Sequence, residues 1–207
     1  MSAQNDRYWE FDNLPNRLTL FRISLVPVMV ALLYVQSENY QFPLQKLYGI
    51  FAAIIFTLAS LTDYLDGLVA RKQGLITAFG SFLDPIADKF LVVSSLIMLL
   101  SLGRIPSLVV VILVLREMYM TSLRLFAAHQ DIKVPVESVG KWKTATQMIG
   151  IPMIMWHWPI FGLPTSPIGL GFLYTAAGLS LISAILYSFK LVKKIQDQRK
   201  QKKQASL

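Results

Sequence analysis

Six stretches of the chain are apolar and nearly long enough to fill a hydrocarbon core, with polar segments between them. They run at about Leu18–Tyr34, Leu44–Leu61, Phe90–Leu102, Ser107–Ala127, Ala145–Phe161 and Leu170–Leu191. A bilayer core takes roughly 20 residues of helix. The pattern therefore predicts an all-α, polytopic membrane protein with six transmembrane helices. The third stretch is short and the first contains Arg22. Turn formers separate some stretches, as in Gly103-Arg104-Ile105-Pro106 and Gly162-Leu163-Pro164. No basic start leads into an apolar run and a small-residue cleavage site, so no signal peptide is expected. The expected organisation is one membrane domain over residues 1–207, with a six-helix core over 15–192 and a basic cytoplasmic tail over 193–207. Residues 1–14, with Tyr8, Trp9 and Phe11, are either an interfacial segment or a frayed terminus.

Composition supports the membrane reading. The chain is 54% hydrophobic and 15% charged, with no cysteine, whereas a soluble domain carries about a quarter charged residues. Disorder is excluded by the hydrophobicity, and a disulfide-stapled fold by the lack of thiols. The net charge of +8 raises the question of nucleic acid, but the charges follow topology instead. With six spans and the N-terminus inside, one side carries Arg7, Arg17, Arg22, Arg71, Lys72, Lys89, Lys133, Lys141, Lys143 and the C-terminal cluster. The other carries only Lys46 and Arg104. Basic residues concentrate in cytoplasmic loops, which puts both termini in the cytoplasm. From Lys190 to Lys203 seven basic residues face a single Asp197. Such a tail anchors topology and attracts anionic lipid headgroups. Without aromatic interleaving or a binding domain behind it, no nucleic-acid partner is expected.

Ionisable groups at the edge of membrane helices are costly and mark function by default. Four of the twelve carboxylates fall between Asp63 and Asp88, in Asp63-Tyr-Leu-Asp66-Gly67-Leu-Val-Ala70-Arg71 and, eight residues on, Gly80-Ser-Phe-Leu-Asp84-Pro-Ile-Ala-Asp88. At 100° per residue, Asp63, Asp66, Gly67, Ala70 and Arg71 share an arc of about 140°, and Gly80, Asp84 and Asp88 one of about 80°. The two faces belong to consecutive helices and are able to meet. Taken singly, the residues have plainer readings. Asp84 before Pro85 resembles a helix N-cap, and Asp63 and Asp66 suit a helix leaving the bilayer beside Arg71. Together, four converging carboxylates need compensating charge, which two divalent cations supply. All-oxygen ligation suits Mg²⁺ or Mn²⁺, and a two-metal carboxylate site serves phosphoryl transfer. The two histidines, His129 and His157, fall on opposite predicted sides of the membrane.

The segment matches the signature D-x2-D-G-x2-A-R-x8-G-x3-D-x3-D at every specified position, and so resembles the CDP-alcohol phosphotransferase family. The resemblance implies transfer of a phosphoalcohol group from a CDP-linked donor to an alcohol, releasing CMP. It implies that Asp63, Asp66, Asp84 and Asp88 hold the metals and that Asp88 also accepts the acceptor's hydroxyl proton. Gly67, Arg71 and Thr77 fall where the family contacts the donor. The first span opens with Asn13-Leu-Pro15-Asn16-Arg-Leu-Thr19-Leu-Phe-Arg22. Helix capping accounts for Pro15 and Asn16 but not for Arg22. This run is similar to the opening of the bacterial branch that uses CDP-diacylglycerol and glycerol 3-phosphate, which adds Asn16 and Thr19 to the donor contacts.

Arg116-Glu117, Arg124 and the run Gly140-Lys141-Trp-Lys143-Thr144 narrow the acceptor. Each cation has an ordinary explanation: Glu117 neutralises Arg116, Arg124 snorkels to the interface, and Lys141 and Lys143 follow the positive-inside pattern. Together Arg116, Arg124, Lys141 and Lys143 suit an acceptor that itself carries a phosphate. The same bacterial branch is resembled here too, except that Leu115 and Leu125 stand where Ala and an acidic residue are common. The resemblance covers Asn13 to Gln147 and implies a homodimer in a bacterial inner membrane with its active site facing the cytoplasm. Phosphatidylglycerol, inositol phosphate or serine as acceptor, a cation transporter and an inactive lipid-binding paralogue are the alternatives the sequence leaves.

Overall fold

Each apolar run becomes a helix, and each helix is longer than its run. In the computed structural model these are α1 (Leu14–Glu38), α2 (Phe42–Gln73), α3 (Ala78–Ser101), α4 (Ser107–His129), α5 (Ser138–Trp156) and α6 (Thr165–Ala205). The structure describes the backbone of residues 14–38, 42–73, 78–130, 132 and 138–205. Within these, the side chains at 14–16, 38, 42, 63–73, 78–85, 88, 138, 199 and 201–205 lie outside the described residues. The proposed interfacial segment lies outside them too. Among the described residues there are six helices and no strand, so the all-α expectation holds.

The turns end helices where the sequence supplies the right residue. Gly103, at φ 67°, closes α3. Its N–H donates to the Leu100 carbonyl at 2.9 Å, and the Arg104 N–H to that of Leu99 at 3.0 Å. This pair of bonds is the Schellman arrangement, which needs a left-handed residue. The fifth apolar run extends to Phe161, but α5 stops at Trp156. His157 takes φ 66°, and Phe161 and Gly162 take 50° and 79°. The last two form a tight turn, with paired hydrogen bonds between Ile160 and Leu163 of 3.2 and 2.9 Å.

The helices alternate in direction. Gln36, late in α1, donates from Nε2 to the Gln45 carbonyl of α2 at 2.8 Å. A Cβ on Gly49 would lie 2.7 Å from both Gln36 Nε2 and the Met155 carbonyl of α5. Arg104 donates from Nη1 to the Ile154 and Met155 carbonyls at 3.4 and 3.2 Å. The α1–α2, α3–α4 and α5–α6 connections therefore share one end of the bundle. The ends of α2, α4 and α6 and the starts of α3 and α5 share the other.

Every helix contributes to the main core, which includes Met29, Leu33, Phe56, Leu91, Leu99, Leu113, Ile154 and Leu173. A smaller cluster of Met120, Ala127, Ile132, Ala184, Tyr187 and Leu191 joins α4 to α6. The α5–α6 crossing is close because both helices present glycine there. A Cβ on Gly150 would fall 2.9 Å from the Gly169 carbonyl, and one on Gly169 would fall 2.9 Å from the Gly150 carbonyl. Small residues let backbones approach in this way in membrane proteins, where close packing rather than the hydrophobic effect joins helices.

Among the described residues, three segments are long and apolar enough to cross a membrane: Arg17–Ser37, Pro43–Thr62 and Thr165–Gln198. The sequence leads to an expectation of six spans, and polar residues set α4 and α5 apart from these three. In α3 the apolar stretch among the described residues is Lys89–Ser101. Arg116, Glu117 and Arg124 interrupt α4, and Lys141, Lys143 and Gln147 interrupt α5.

Candidate active site

The carboxylates stand on two consecutive helices, as their spacing requires. Asp63, Asp66, Gly67 and Arg71 occupy the last three turns of α2, which continues well past the apolar run ending at Leu61. Asp84 and Asp88 occupy the second and third turns of α3. Because α3 begins at Ala78, the Asp84-Pro85 pair sits inside the helix and does not cap it. The side chains of Asp63, Asp66, Arg71, Asp84 and Asp88, the surroundings of Gly67 and all of Thr77 lie outside the described residues. As a donor set, four carboxylates on adjoining helix segments offer only oxygen, which fits hard divalent cations.

On α1, Thr19 and Arg22 are three residues apart on one helical face, and both are 1% exposed. That face turns inward at these two residues, and the Asn16 side chain lies outside the described residues. Inward-facing polar groups are the usual arrangement for a helix whose outer surface meets lipid.

The four cations of α4 and α5 divide into two buried and two exposed. Arg116 and Lys143 are buried at 6% each, whereas Arg124 and Lys141 are exposed. Lys141 and Lys143 are two residues apart, about 200° around a helix, so only one is able to face inward. Arg124 lies eight residues beyond Arg116, about 12 Å along α4.

Arg116 and Lys143 meet at one carboxylate. Glu117 Oε2 accepts from Lys143 Nζ at 2.7 Å and from Arg116 Nη1 at 3.2 Å. Arg116 also donates from Nε to the Ser180 carbonyl at 3.3 Å and from Nη2 to Ser183 Oγ at 2.9 Å. A cavity of ≈ 40 Å³ between α3, α4 and α5 is lined by Lys89, Glu117, Lys143, Thr144 and Gln147, among others. Of the four cations predicted to bind acceptor phosphate, only Lys143 lines it.

Lys89 and Gln147 escaped the sequence reading. Lys89 passes for a positive-inside residue, and Gln147 carries no motif. Ser180 and Ser183 escaped it too, since two small hydroxyls three residues apart on an apolar helix form no motif.

The chain matches the family model described as CDP-alcohol phosphatidyltransferase over residues 12–188. It belongs to the CDP-alcohol phosphatidyltransferase family. The match spans the carboxylate segment, the Arg116–Glu117–Lys143 group and most of α6. Among similar proteins of this family, CDP-diacylglycerol–glycerol-3-phosphate 3-phosphatidyltransferase 2 of Arabidopsis thaliana is 40% identical over 193 residues, covering 86% of this chain and 79% of the relative. The CDP-diacylglycerol–glycerol-3-phosphate 3-phosphatidyltransferase of Rickettsia bellii is 38% identical, covering 88% of this chain and 97% of the relative. That of Bacillus subtilis is 36% identical, covering 86% and 94%.

Proposed function

We propose that the chain transfers the phosphatidyl group of CDP-diacylglycerol to glycerol 3-phosphate, giving phosphatidylglycerophosphate and CMP. The observation that carries this is the agreement of the three relatives above, all named for that reaction and each covering at least 86% of this chain.

All six helices cross a cell (inner) membrane in this reading, with both termini and the active site on the cytoplasmic side. The exposure pattern of α4 and α5 supports it. On α4, Arg116 faces inward while Val111, Leu115 and Met118 face outward. On α5, Lys143 and Gln147 are buried while Trp142 and Ile149 are exposed. Charge inside and apolar surface outside is how a polar span sits in lipid. A homodimer is the proposed assembly, on the family resemblance alone.

In the proposed reaction CDP-diacylglycerol enters from the cytoplasmic leaflet with its acyl chains in lipid. Asn16, Thr19, Gly67, Arg71 and Thr77 bind it, with Arg71 matching the phosphate charge. Asp63, Asp66, Asp84 and Asp88 would hold two Mg²⁺ or Mn²⁺ ions, which supply positive charge for the phosphates. Glycerol 3-phosphate arrives from the cytoplasm, its phosphate drawn by Lys143, Lys141 and Arg124, with Arg116 behind them. Asp88 takes the proton of its primary hydroxyl. The oxygen attacks the phosphorus bearing the diacylglycerol, and the bond to CMP breaks. Positioning and electrostatics supply most of the catalysis in such transfers.

The test is CMP release by purified protein given CDP-diacylglycerol and Mg²⁺, with and without glycerol 3-phosphate, and with EDTA as control. Metal-dependent release that requires glycerol 3-phosphate and yields phosphatidylglycerophosphate is expected. Release only with another alcohol overturns the acceptor, and ion flux without CMP release overturns the reaction class. Asp88→Asn should keep the fold and abolish turnover; near-normal activity would remove Asp88 from the mechanism.

A further inference from the structure

Glu117 offers one carboxylate oxygen to two cations. Arg116 is tied to α6 through the Ser180 carbonyl and Ser183 Oγ. With its third group it fixes Glu117 on its own helix. Glu117 in turn holds the Lys143 ammonium of α5 at 2.7 Å. These contacts run from α6 through α4 to α5 and reach the wall of the 40 Å³ cavity.

The cavity also adjoins the carboxylate segment. Lys89, which follows Asp88 directly, lines it, and so does Val92, one turn further along α3. Of the charged side chains that line it, Lys89 and Lys143 are positive and Glu117 negative, a net +1 among these three. A cavity of this size takes one anchoring group of a ligand, and this charge selects an anion. A lysine is a flexible point charge with three donors, so a carboxylate that fixes it lowers the cost of ordering it when the ligand binds.

We propose that Glu117 is a positioning residue for the acceptor. It holds Lys143 at a cavity where Lys89 supplies the second cation, and the ligand class is the phosphate of a phosphomonoester alcohol. The inference rests on the function proposed above.

The experiment measures KM for glycerol 3-phosphate and for CDP-diacylglycerol in wild-type protein, Glu117→Gln, Lys143→Gln, the double variant and Lys89→Gln. Glu117→Gln and Lys89→Gln should each raise KM for glycerol 3-phosphate roughly tenfold, the size expected when a hydrogen bond to a charged group is lost. KM for CDP-diacylglycerol should stay within about twofold, because the loss is confined to one substrate. The double variant should be no worse than Lys143→Gln alone, since residues acting through one another are not additive. Equal rises in both KM values, or additive losses in the double variant, would overturn the proposal. Should Glu117→Gln fail to fold, Lys89→Gln decides, and an unchanged KM for glycerol 3-phosphate in that variant also overturns it. Wild-type turnover with glycerol 3-phosphate but no dependence on these residues sinks only this inference. Wild-type turnover confined to unphosphorylated alcohols sinks the proposed function as well.

Discussion

Arg104 and Arg116 are both withdrawn from water, yet they are held in different ways. Arg104 donates to two carbonyls in the last turn of α5. It neutralises the negative end of that helix, and among the described residues it forms no ion pair. Burial lowers its pKa to about 10, so it remains charged at neutral pH. Arg116 spreads its donors over a carbonyl, a hydroxyl and a carboxylate, and through the carboxylate it reaches a lysine at a cavity wall. The first arrangement closes on the backbone and does nothing further. The second passes a restraint onward. A buried charge therefore indicates function by where its network ends, rather than by being buried.

Substitutions test that contrast, beginning with the largest effect. Arg116→Ala should cost about 3 kcal/mol of stability in detergent, the lower end for breaking a buried pair because Lys143 still answers Glu117. It should also raise KM for glycerol 3-phosphate, and unfolding and kinetics on one preparation check both. Gly169→Val should cost about 1–3 kcal/mol by overpacking the α5–α6 crossing, with KM for both substrates unchanged in the folded fraction.

Arg104→Gln should cost about 1 kcal/mol, as two hydrogen bonds and a helix-end charge are weakened. Its kinetic constants should match wild type, and a selective rise in KM for glycerol 3-phosphate would erase the contrast between the two arginines.

The smallest effect concerns pH. Burial, and then the charge of Arg104, lower the His157 pKa below its ordinary 6.5. On acidification the unfolded chain takes the proton first, so stability tied to neutral His157 is complete above about pH 6.5 and falls as pH drops from there through the lower folded value. His157→Asn, which suits the positive φ, should flatten that part of the melting-temperature profile. An unchanged profile would show that the imidazole titrates alike in both states.

The helices were legible in the sequence as apolar runs but not at their full lengths. Hydropathy reads how much chain is apolar, whereas helix length follows the hydrogen-bond ladder. Thus α2 runs twelve residues past Leu61, α3 starts twelve before Phe90 and α6 runs fourteen past Leu191. These polar extensions of α2 and α3 carry the carboxylates, so the part of each helix that hydropathy misses is the part the signature occupies. The pairing of Arg116 with Glu117 was legible because the two are adjacent. That Lys143, twenty-six residues on, shares the same carboxylate was not, since the packing of α4 and α5 against α6 brings them together. Lys141 and Lys143 were alike in sequence, and helix phase alone turned one inward.

The length of α6 has a mechanical consequence. It is one uninterrupted helix of 41 residues, about 60 Å long at 1.5 Å per residue and roughly twice the thickness of a hydrocarbon core. The fourteen residues beyond Leu191 form an arm of about 21 Å, and they carry Lys193, Lys194, Arg199, Lys200, Lys202 and Lys203. Helices adjust to thicker or thinner bilayers by tilting. A tilt of about 10° moves the tip of such an arm by about 4 Å. If α6 crosses the bilayer as proposed, the thickness of the surrounding lipid is thereby converted into the position of the helix's basic end.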